Sequence, residues 1–208
     1  MTDLKDTNLL DFVVEIAHEF EVDLNSVVVV NHRFALDGID RAENEVIKQR
    51  EEELAHDDPE ALASALSHIE WGFEGLRKAS RQLALVGVVT RLQHWISIAL
   101  LDKRLCGKPE EKSDSMLINQ LAFLNELLGC GPVPISFFEE LVNVRDSIIH
   151  ADSKAKWKHG RDRKVADQYT NPWGCVEFAE EDLQEAIDNS IRQVVWYDKC
   201  LHSPQNKA

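Results

Sequence analysis

The stretch from Pro59 to Arg104, PEALASALSHIEWGFEGLRKASRQLALVGVVTRLQHWISIALLDKR, decides the fold class of this chain. Its apolar residues keep helical spacing and become denser towards the carboxyl end. This pattern predicts one very long helix, or two closely joined helices, at the centre of a bundle. The most apolar part, Leu83 to Leu101, is interrupted by Thr90-Arg91 and Gln93-His94. That interruption favours a buried helix over a membrane span.

The segments on both sides of this stretch also have helical periodicity. It runs from Leu4 to Phe20 and, with sparser apolar residues, from Ile39 to Ala55. Downstream, helices are predicted from Met116 to Leu128, from Pro134 to His150 and from Glu180 to Leu201. The chain is therefore predicted to be all-α, a helical bundle with long central helices.

Three segments lack this periodicity. Val27 to Val30 is the best strand candidate because its residues are β-branched, although four residues do not decide between strand and helix. Ala151 to Trp173 predicts a long loop, and Cys175 to Phe178 favours a short extended segment.

The length and charge of the chain limit what it can be. Its 208 residues suit a single helical domain, which we divide into an N-terminal helical extension (1–58), a bundle (59–201) and a tail (202–208). With 37 acids against 23 bases, the net charge is −14. Such a protein repels nucleic acids and anionic membranes on average, so a nucleic-acid function needs a local basic patch.

The cysteines and the N-terminus predict a cytoplasmic protein. The four cysteines are spread singly without a Cys-x-x-Cys pair, as expected for free thiols in a reducing compartment. The first residues lack the basic-then-apolar pattern of an export signal.

Phosphate-binding glycine loops and His-Glu-x-x-His are also missing from the sequence, so no cofactor and no metal is predicted.

The helix predicted from Pro134 carries an Arg-x4-His element near its end, Arg145-Asp146-Ser147-Ile148-Ile149-His150. Asp146 lies four residues before His150 and shares its helical face, where a carboxylate stabilises a charged imidazole. Arg145 lies roughly 140° away around the helix, within reach of the same substrate. RNA cleavage needs a base for the 2′-hydroxyl, a proton for the leaving 5′-oxygen and positive charge for the phosphate. A histidine and an arginine supply these without metal.

A basic segment follows this element. From Lys154 to Lys164 there are six bases and one acid, so the segment carries +5 and the rest of the chain −19. A similar spacing recurs at Arg50 and His56, but acidic residues surround that pair. The predicted phosphate-binding and base-stacking residues are Lys154, Lys156, Trp157, Lys158, Arg161, Arg163 and Lys164.

The pattern of Arg145, a polar residue (Asp146) and His150 on an apolar helix resembles the motif of the HEPN superfamily. The resemblance is specific over this motif and extends loosely over the helices from Pro59 to His150 and from Glu180 to Leu201. Members are generally dimeric helical bundles that cut RNA without metal, often as toxins or in phage defence. The resemblance implies catalytic roles for Arg145 and His150, with Asp146 as their positioner. It also implies a homodimer that acts on RNA and a cognate antitoxin or regulatory protein as partner.

Other interpretations stay open. Some HEPN members have lost activity, so the chain is alternatively a non-catalytic interaction or regulatory protein whose acidic surface binds a basic partner. His150 is also a residue that a helix C-terminus favours, with the basic segment a solvated loop. Finally, Glu15 with His18 and Glu53 with His56 form Glu-x-x-His pairs, which are typical of di-iron bundles.

Overall fold

The structure, a computed structural model, describes residues 17–54, 59–100, 116–159 and 161–202, with the backbone alone for 157–159, 161–163 and 202. Its helices are α1 (Val30–Glu53), α2 (Pro59–Leu100), α3 (Leu117–Leu128), α4 (Ile135–His150) and α5 (Glu180–His202). Between α4 and α5 lie an antiparallel hairpin, β1 (Lys156–His159) and β2 (Arg161–Lys164), and a short 3-10 turn, Asp167–Tyr169. The prediction of an all-α bundle with long central helices is confirmed, with this small hairpin added.

Helix α2 is the centre of the molecule. It is one uninterrupted helix of 42 residues, about 63 Å long, and it contacts each of the other four helices. Its C-terminal half packs against α3, α4 and α5, and we call this assembly the core. The residues that α2 buries there are Ala84, Leu85, Val88, Val89, Leu92, Ile96, Ala99 and Leu100.

Helix α2 is also the one described helix that is long and apolar enough to cross a membrane, judged by length and composition. Within its most apolar 18-residue window, 44% of the residues are buried inside the protein. The core helix of a soluble protein passes the same test. In the C-terminal half, the apolar residues from Ala84 to Leu100 that are buried pack within the chain, whereas Leu83 is 70% exposed.

Helix α1 and the N-terminal half of α2 form an antiparallel pair beside the core. Arg77 Nη2 on α2 lies 2.7 Å from Asp40 Oδ1 on α1 and also pairs with Glu43. Further along, Val28 faces Gly87 and Asp23 pairs with Arg91. No described residue from 33 to 83 is buried. We call residues 33–54 and 59–83 the arm.

The strand candidate Val27–Val30 is wrong, because this segment is helical. Helical residues 17–23 continue into a π-helix, Leu24–Val29, and then into α1. Phe20, Leu24 and Val28 are buried at a spacing of four residues, so helical packing overrides the β-branched preference.

The predicted loop from Ala151 to Trp173 is also wrong, since part of it forms the hairpin. Backbone N–H groups of Val165 and Ala155 donate to Ala155 O (2.8 Å) and Gly174 O (2.9 Å), respectively. The extended segment from Cys175 to Phe178 is confirmed: Cys175 bridges to Lys154 and Val176 to Thr170. The hairpin strands carry mostly polar residues on both sides, which leaves no alternation for a strand prediction to detect.

Some predictions fall outside the described residues. These are the predicted helix from Leu4 as far as residue 16, the end of the central stretch at 101–104, and the tail at 203–208. The division of the chain at residue 58 stays a prediction.

Candidate active site

Helix α4, which carries Arg145 and His150, is fixed where it begins. Pro134 precedes its first turn, and the buried Val133 donates its backbone N–H to Gln193 Oε1 on α5 (3.3 Å). The chain passes Gln193 so closely that a Cβ on Gly131 would collide with that side chain. One face of α4 then packs in the core, through Phe138, Leu141, Val142 and Val144. This packing fixes the rotation of α4 and therefore which residues stay accessible.

Arg145 and Asp146 form an ion pair. Nε and Nη2 of Arg145 lie 2.9 and 2.7 Å from Oδ1 of Asp146. Asp146 is 5% exposed, and the Arg145 side chain is 17% exposed. A nearly buried carboxylate that accepts two charge-assisted hydrogen bonds holds the guanidinium in one orientation. The sequence predicted that Asp146 orients His150. These two hydrogen bonds orient Arg145, and the role towards His150 stays a prediction.

His150 is the last residue of α4, and it is exposed. A histidine that exchanges protons with a substrate has to be reachable from solvent, so this exposure fits a general acid or base. Arg145 lies five residues earlier and is largely covered. The end of α4 thus places one accessible imidazole and one oriented guanidinium on the same helix.

Ser147 joins α4 to the basic segment, a role that no motif indicated. It is fully buried, its Oγ donates to Lys154 O (2.7 Å), and its carbonyl oxygen accepts the N–H of Ser153 (3.1 Å). Asp152 and Ser153 have φ angles of 49° and 60°, in the left-handed region that few non-glycine residues adopt. These bonds turn the chain sharply after His150. A hydroxyl on the buried stripe of a helix is the one signal in the sequence for such a bond.

The basic segment is anchored at its base. Val176 N donates to Ser153 O (2.6 Å), which ties the extended segment to the turn after α4. Ala155, Val165 and Val176 are buried in the hydrophobic core. The start of the hairpin therefore has a defined position relative to α4.

The predicted RNA-binding residues lie on this hairpin or directly before it. Lys156 pairs in register with Lys164, and Trp157 pairs with Arg163. The exposed side chains are those of Lys154, Lys156 and Lys164. The other four residues have only their backbone described: Trp157, Lys158, Arg161 and Arg163. The pairing brings bases from both ends of the segment together on one two-stranded ribbon.

The charge of the hairpin acts on its surroundings at Asp167. Lys164 Nζ lies 2.5 Å from Asp167 Oδ1. The hydrogen bond and the charge of Lys164 lower the pKa of Asp167, and the charge of Lys156 lowers it further. The base of the hairpin is therefore a region of positive potential, although Asp167 offsets part of the charge of Lys164.

A second polar cluster, which sequence reasoning missed, joins the arm to α5. The buried His32 lies between Ser80, with Nδ1 2.8 Å from Oγ, and Glu180, with Nε2 3.0 Å from Oε2. A serine, a histidine and a carboxylate in this order suggest nucleophilic catalysis. However, Ser80 lies inside α2, where helical hydrogen bonds use the backbone N–H groups that an oxyanion hole would need. We interpret the cluster as a tether between α1, α2 and α5.

The described residues contain no group of three or more His, Cys, Asp or Glu side chains that could hold a metal ion. Of the two Glu-x-x-His pairs, Glu15 and His56 lie outside these residues. His18 is exposed, and Glu53 pairs with Arg50 at 2.9 Å. The di-iron interpretation thus gains no support from the described part of the chain.

Comparison with known proteins gives no relative on which to base a function. No family model matches the chain, and neither a curated protein nor a solved structure matches it. The HEPN interpretation therefore depends on Arg145, Asp146, His150 and their surroundings.

Proposed function

We propose that this protein is a metal-independent endoribonuclease of the HEPN type that acts as a homodimer. The observation that supports it best is the arrangement at the end of α4, where a nearly buried Asp146 orients Arg145 and His150 is exposed. The basic segment Lys154–Lys164, with a net charge of +5, begins a few residues later in a chain of −14. A toxin or a phage-defence component that works in the cytoplasm, restrained by a cognate antitoxin or regulatory protein, suits this activity.

In the proposed reaction, His150 accepts the proton of a ribose 2′-hydroxyl. The 2′-oxygen attacks the adjacent phosphorus, and the bond from phosphorus to the 5′-oxygen breaks. The 5′-oxygen takes a proton from the His150 of the second copy, while Arg145 stabilises the negative charge that grows on the phosphate. The products are a 2′,3′-cyclic phosphate and a 5′-hydroxyl end. This chemistry needs no cofactor.

The hairpin is proposed to hold the RNA backbone. Lys154, Lys156, Lys158, Arg161, Arg163 and Lys164 are the candidate phosphate contacts, and Trp157 is the candidate stacking residue. Binding through phosphates releases counterions, so the affinity should fall steeply with salt.

The test is cleavage of a single-stranded RNA by the purified full chain with EDTA present. His150→Ala should lower the rate about 100- to 10,000-fold, the usual contribution of a general acid or base. Arg145→Ala should lower it about 100-fold or more, because it removes charge stabilisation. In a bacterial host, expression of the wild type should slow growth and that of His150→Ala should not.

The matched control is His94→Ala, which removes another exposed histidine, on α2, and should leave the rate unchanged. If the wild-type protein leaves RNA intact, or if His150→Ala cleaves it as fast, the ribonuclease proposal fails.

A second candidate, a non-catalytic interaction protein, is favoured by the charge of −19 outside the segment Lys154–Lys164. In that case RNA stays intact, and a lysine-rich peptide binds the chain with an affinity that falls as salt rises. His150→Ala should then bind the peptide as well as the wild type does.

A further inference from the structure

Trp173 is the most exposed large apolar residue in the described part of the chain, at 84%. It lies in a turn formed by residues 171–174, between the hairpin and α5, and outside the segment predicted to bind RNA. An indole ring that faces solvent adds little to the core of its own chain. Its surface is available to a ligand instead, and aromatic rings bind other flat rings well.

The turn holds Trp173 in a fixed position. The side-chain oxygen of Asn171 accepts the backbone N–H groups of Trp173 (3.1 Å) and Cys175 (3.0 Å). The carbonyl oxygen of Asn171 accepts the N–H of Gly174 (2.9 Å), which has a φ of 74°. Pro172 restricts the backbone further. Because the backbone is already ordered, a ligand that binds the ring pays little conformational entropy there.

The turn is bonded to the start of the basic segment. The carbonyl oxygen of Gly174, the residue after Trp173, accepts the N–H of Ala155 (2.9 Å). On either side of Ala155 are Lys154 and Lys156, and both side chains are exposed. The indole ring is therefore attached directly beside the strand that carries candidate phosphate contacts.

The turn is also close to the end of α4. Val176 N donates to Ser153 O (2.6 Å), and Ser153 comes three residues after His150. Trp173 comes three residues before Val176. Even if both stretches were fully extended, the Cα atoms of His150 and Trp173 would be less than about 30 Å apart. A single strand of a few nucleotides can therefore contact both residues.

The charges around the turn favour a nucleobase over a phosphate as its ligand. Asp152 and Glu177 are exposed near the turn and repel phosphates. The phosphates are expected at the exposed lysines, which are Lys154, Lys156 and Lys164. A nucleobase is neutral and has a π-face on which an aromatic side chain stacks. In a single strand that face is accessible, whereas in a duplex the neighbouring base pairs cover it.

We propose that the indole ring of Trp173 stacks on an unpaired base of the RNA whose phosphates contact the hairpin, so that the protein selects single-stranded RNA. This inference rests on the proposed function for the identity of the ligand. Stacking accepts every base, because every base has a π-face. The contact therefore distinguishes a single strand from a duplex without selecting a sequence.

The first test measures binding of the full chain to a fluorescent single strand of about 12 nucleotides, by anisotropy. Its 2′-hydroxyls are methylated, so it cannot be cleaved. Trp173→Ala should raise the dissociation constant about 5- to 150-fold, the contribution of one stacked base. Trp173→Phe keeps an aromatic ring and should lose less affinity. Because the ring is exposed, both variants should keep the helical circular dichroism of the wild type.

The matched control is Trp71→Ala. Trp71 is 81% exposed and lies on the arm, away from the hairpin. Its removal takes away a solvent-facing indole of the same kind and should leave the dissociation constant unchanged.

The second test separates stacking from charge. An abasic strand has the same phosphates but no bases, so Trp173→Ala should bind it as well as the wild type does. A duplex of the same sequence should also bind equally to both proteins. With the base-bearing strand, Trp173→Ala should keep the salt dependence of the wild type. Lys156→Ala should reduce the slope of log affinity against log salt by about 0.7, the value for one phosphate contact to a single strand.

The proposal is overturned if Trp173→Ala binds the base-bearing strand like the wild type, if it weakens binding of the abasic strand equally, or if Trp71→Ala has the same effect. A lower mass of Trp173→Ala in solution, with its affinity for the strand intact, would instead place Trp173 in a protein interface. If the wild type binds no strand, this inference and the RNA-binding role of the hairpin both fail. If binding depends on Trp173 but RNA stays intact, the ribonuclease proposal fails and this inference stands.

Discussion

The two halves of α2 belong to one continuous helix and have opposite surroundings. In the C-terminal half, Leu85 is fully buried and Leu92 is 1% exposed. In the N-terminal half, Trp71 is 81% exposed and Leu76 is 52% exposed. Helical periodicity and apolar content are present in both halves, so they identify the helix but not what covers it. The comparison indicates that the stability of one chain comes mainly from the core, while the arm leaves large apolar side chains exposed.

The largest expected difference between the core and the arm is the cost of removing a leucine. Leu85→Ala should lower the free energy of unfolding by about 2–5 kcal/mol, because it leaves a cavity in the core. Leu83→Ala, two residues away and 70% exposed, should change it by less than about 0.5 kcal/mol. Urea unfolding at concentrations where the chain is monomeric measures both. Equal losses at the two positions would mean that the arm is packed within one chain.

A smaller effect is expected at the tether between the halves. His32→Ala removes the hydrogen bonds to Ser80 and Glu180 and should lower the free energy of unfolding by about 1–3 kcal/mol. Hydrogen exchange should become faster in the arm and change little in the core. Glu180→Gln is the control, because its amide oxygen can still accept a hydrogen bond from His32. Unchanged exchange in the arm of His32→Ala would show that the cluster does not hold the arm.

A still smaller difference in stability is expected between substitutions at two glycines of α2, Gly75 in the arm and Gly87 outside it. Gly75→Ala should stabilise the monomer by up to about 1 kcal/mol, because the new Cβ meets nothing and alanine favours helix. At Gly87 a Cβ would lie 3.1 Å from Val28 Cγ2, so Gly87→Ala should lack this gain or destabilise the protein. Thermal unfolding of the two variants measures this difference. A larger gain in stability from Gly87→Ala than from Gly75→Ala would contradict the close packing at Gly87.

The smallest expected effect on stability at neutral pH is that of the two tyrosines of the chain, Tyr169 and Tyr197. Both lie outside the arm. Burial raises the pKa of both phenols. The stabilisation from burying the neutral phenols is therefore fully present below pH 10, the ordinary pKa of a tyrosine being about 10. It is lost as the pH rises through the higher pKa values that the phenols have in the folded state. In an alkaline titration, phenolate absorbance should appear only as the core unfolds. Its appearance near pH 10 in folded protein would show that the phenols are accessible.

The sequence predicted the helices well and the contacts of the candidate site less well. The helices that end at Leu128 and His150 have clear stop signals in Gly129 and in the polar residues after His150, and both end there in the structure. The hairpin at Lys156–Lys164 was missed because its strands carry mostly polar residues on both sides, so no apolar alternation marks them. The ion pair between Arg145 and Asp146 was not predicted either, because spacing on a helix indicates which residues share a face but not which side chains bond to each other.

The unbroken course of α2 has a mechanical consequence. The arm and the core share one rod about 63 Å long, and the tether at His32 and Ser80 lies near its midpoint. A tilt of the arm about that point displaces the opposite end by a similar distance, in the place where α3, α4 and α5 pack. A molecule that binds the arm and tilts it would therefore also shift the helices that position Arg145 and His150.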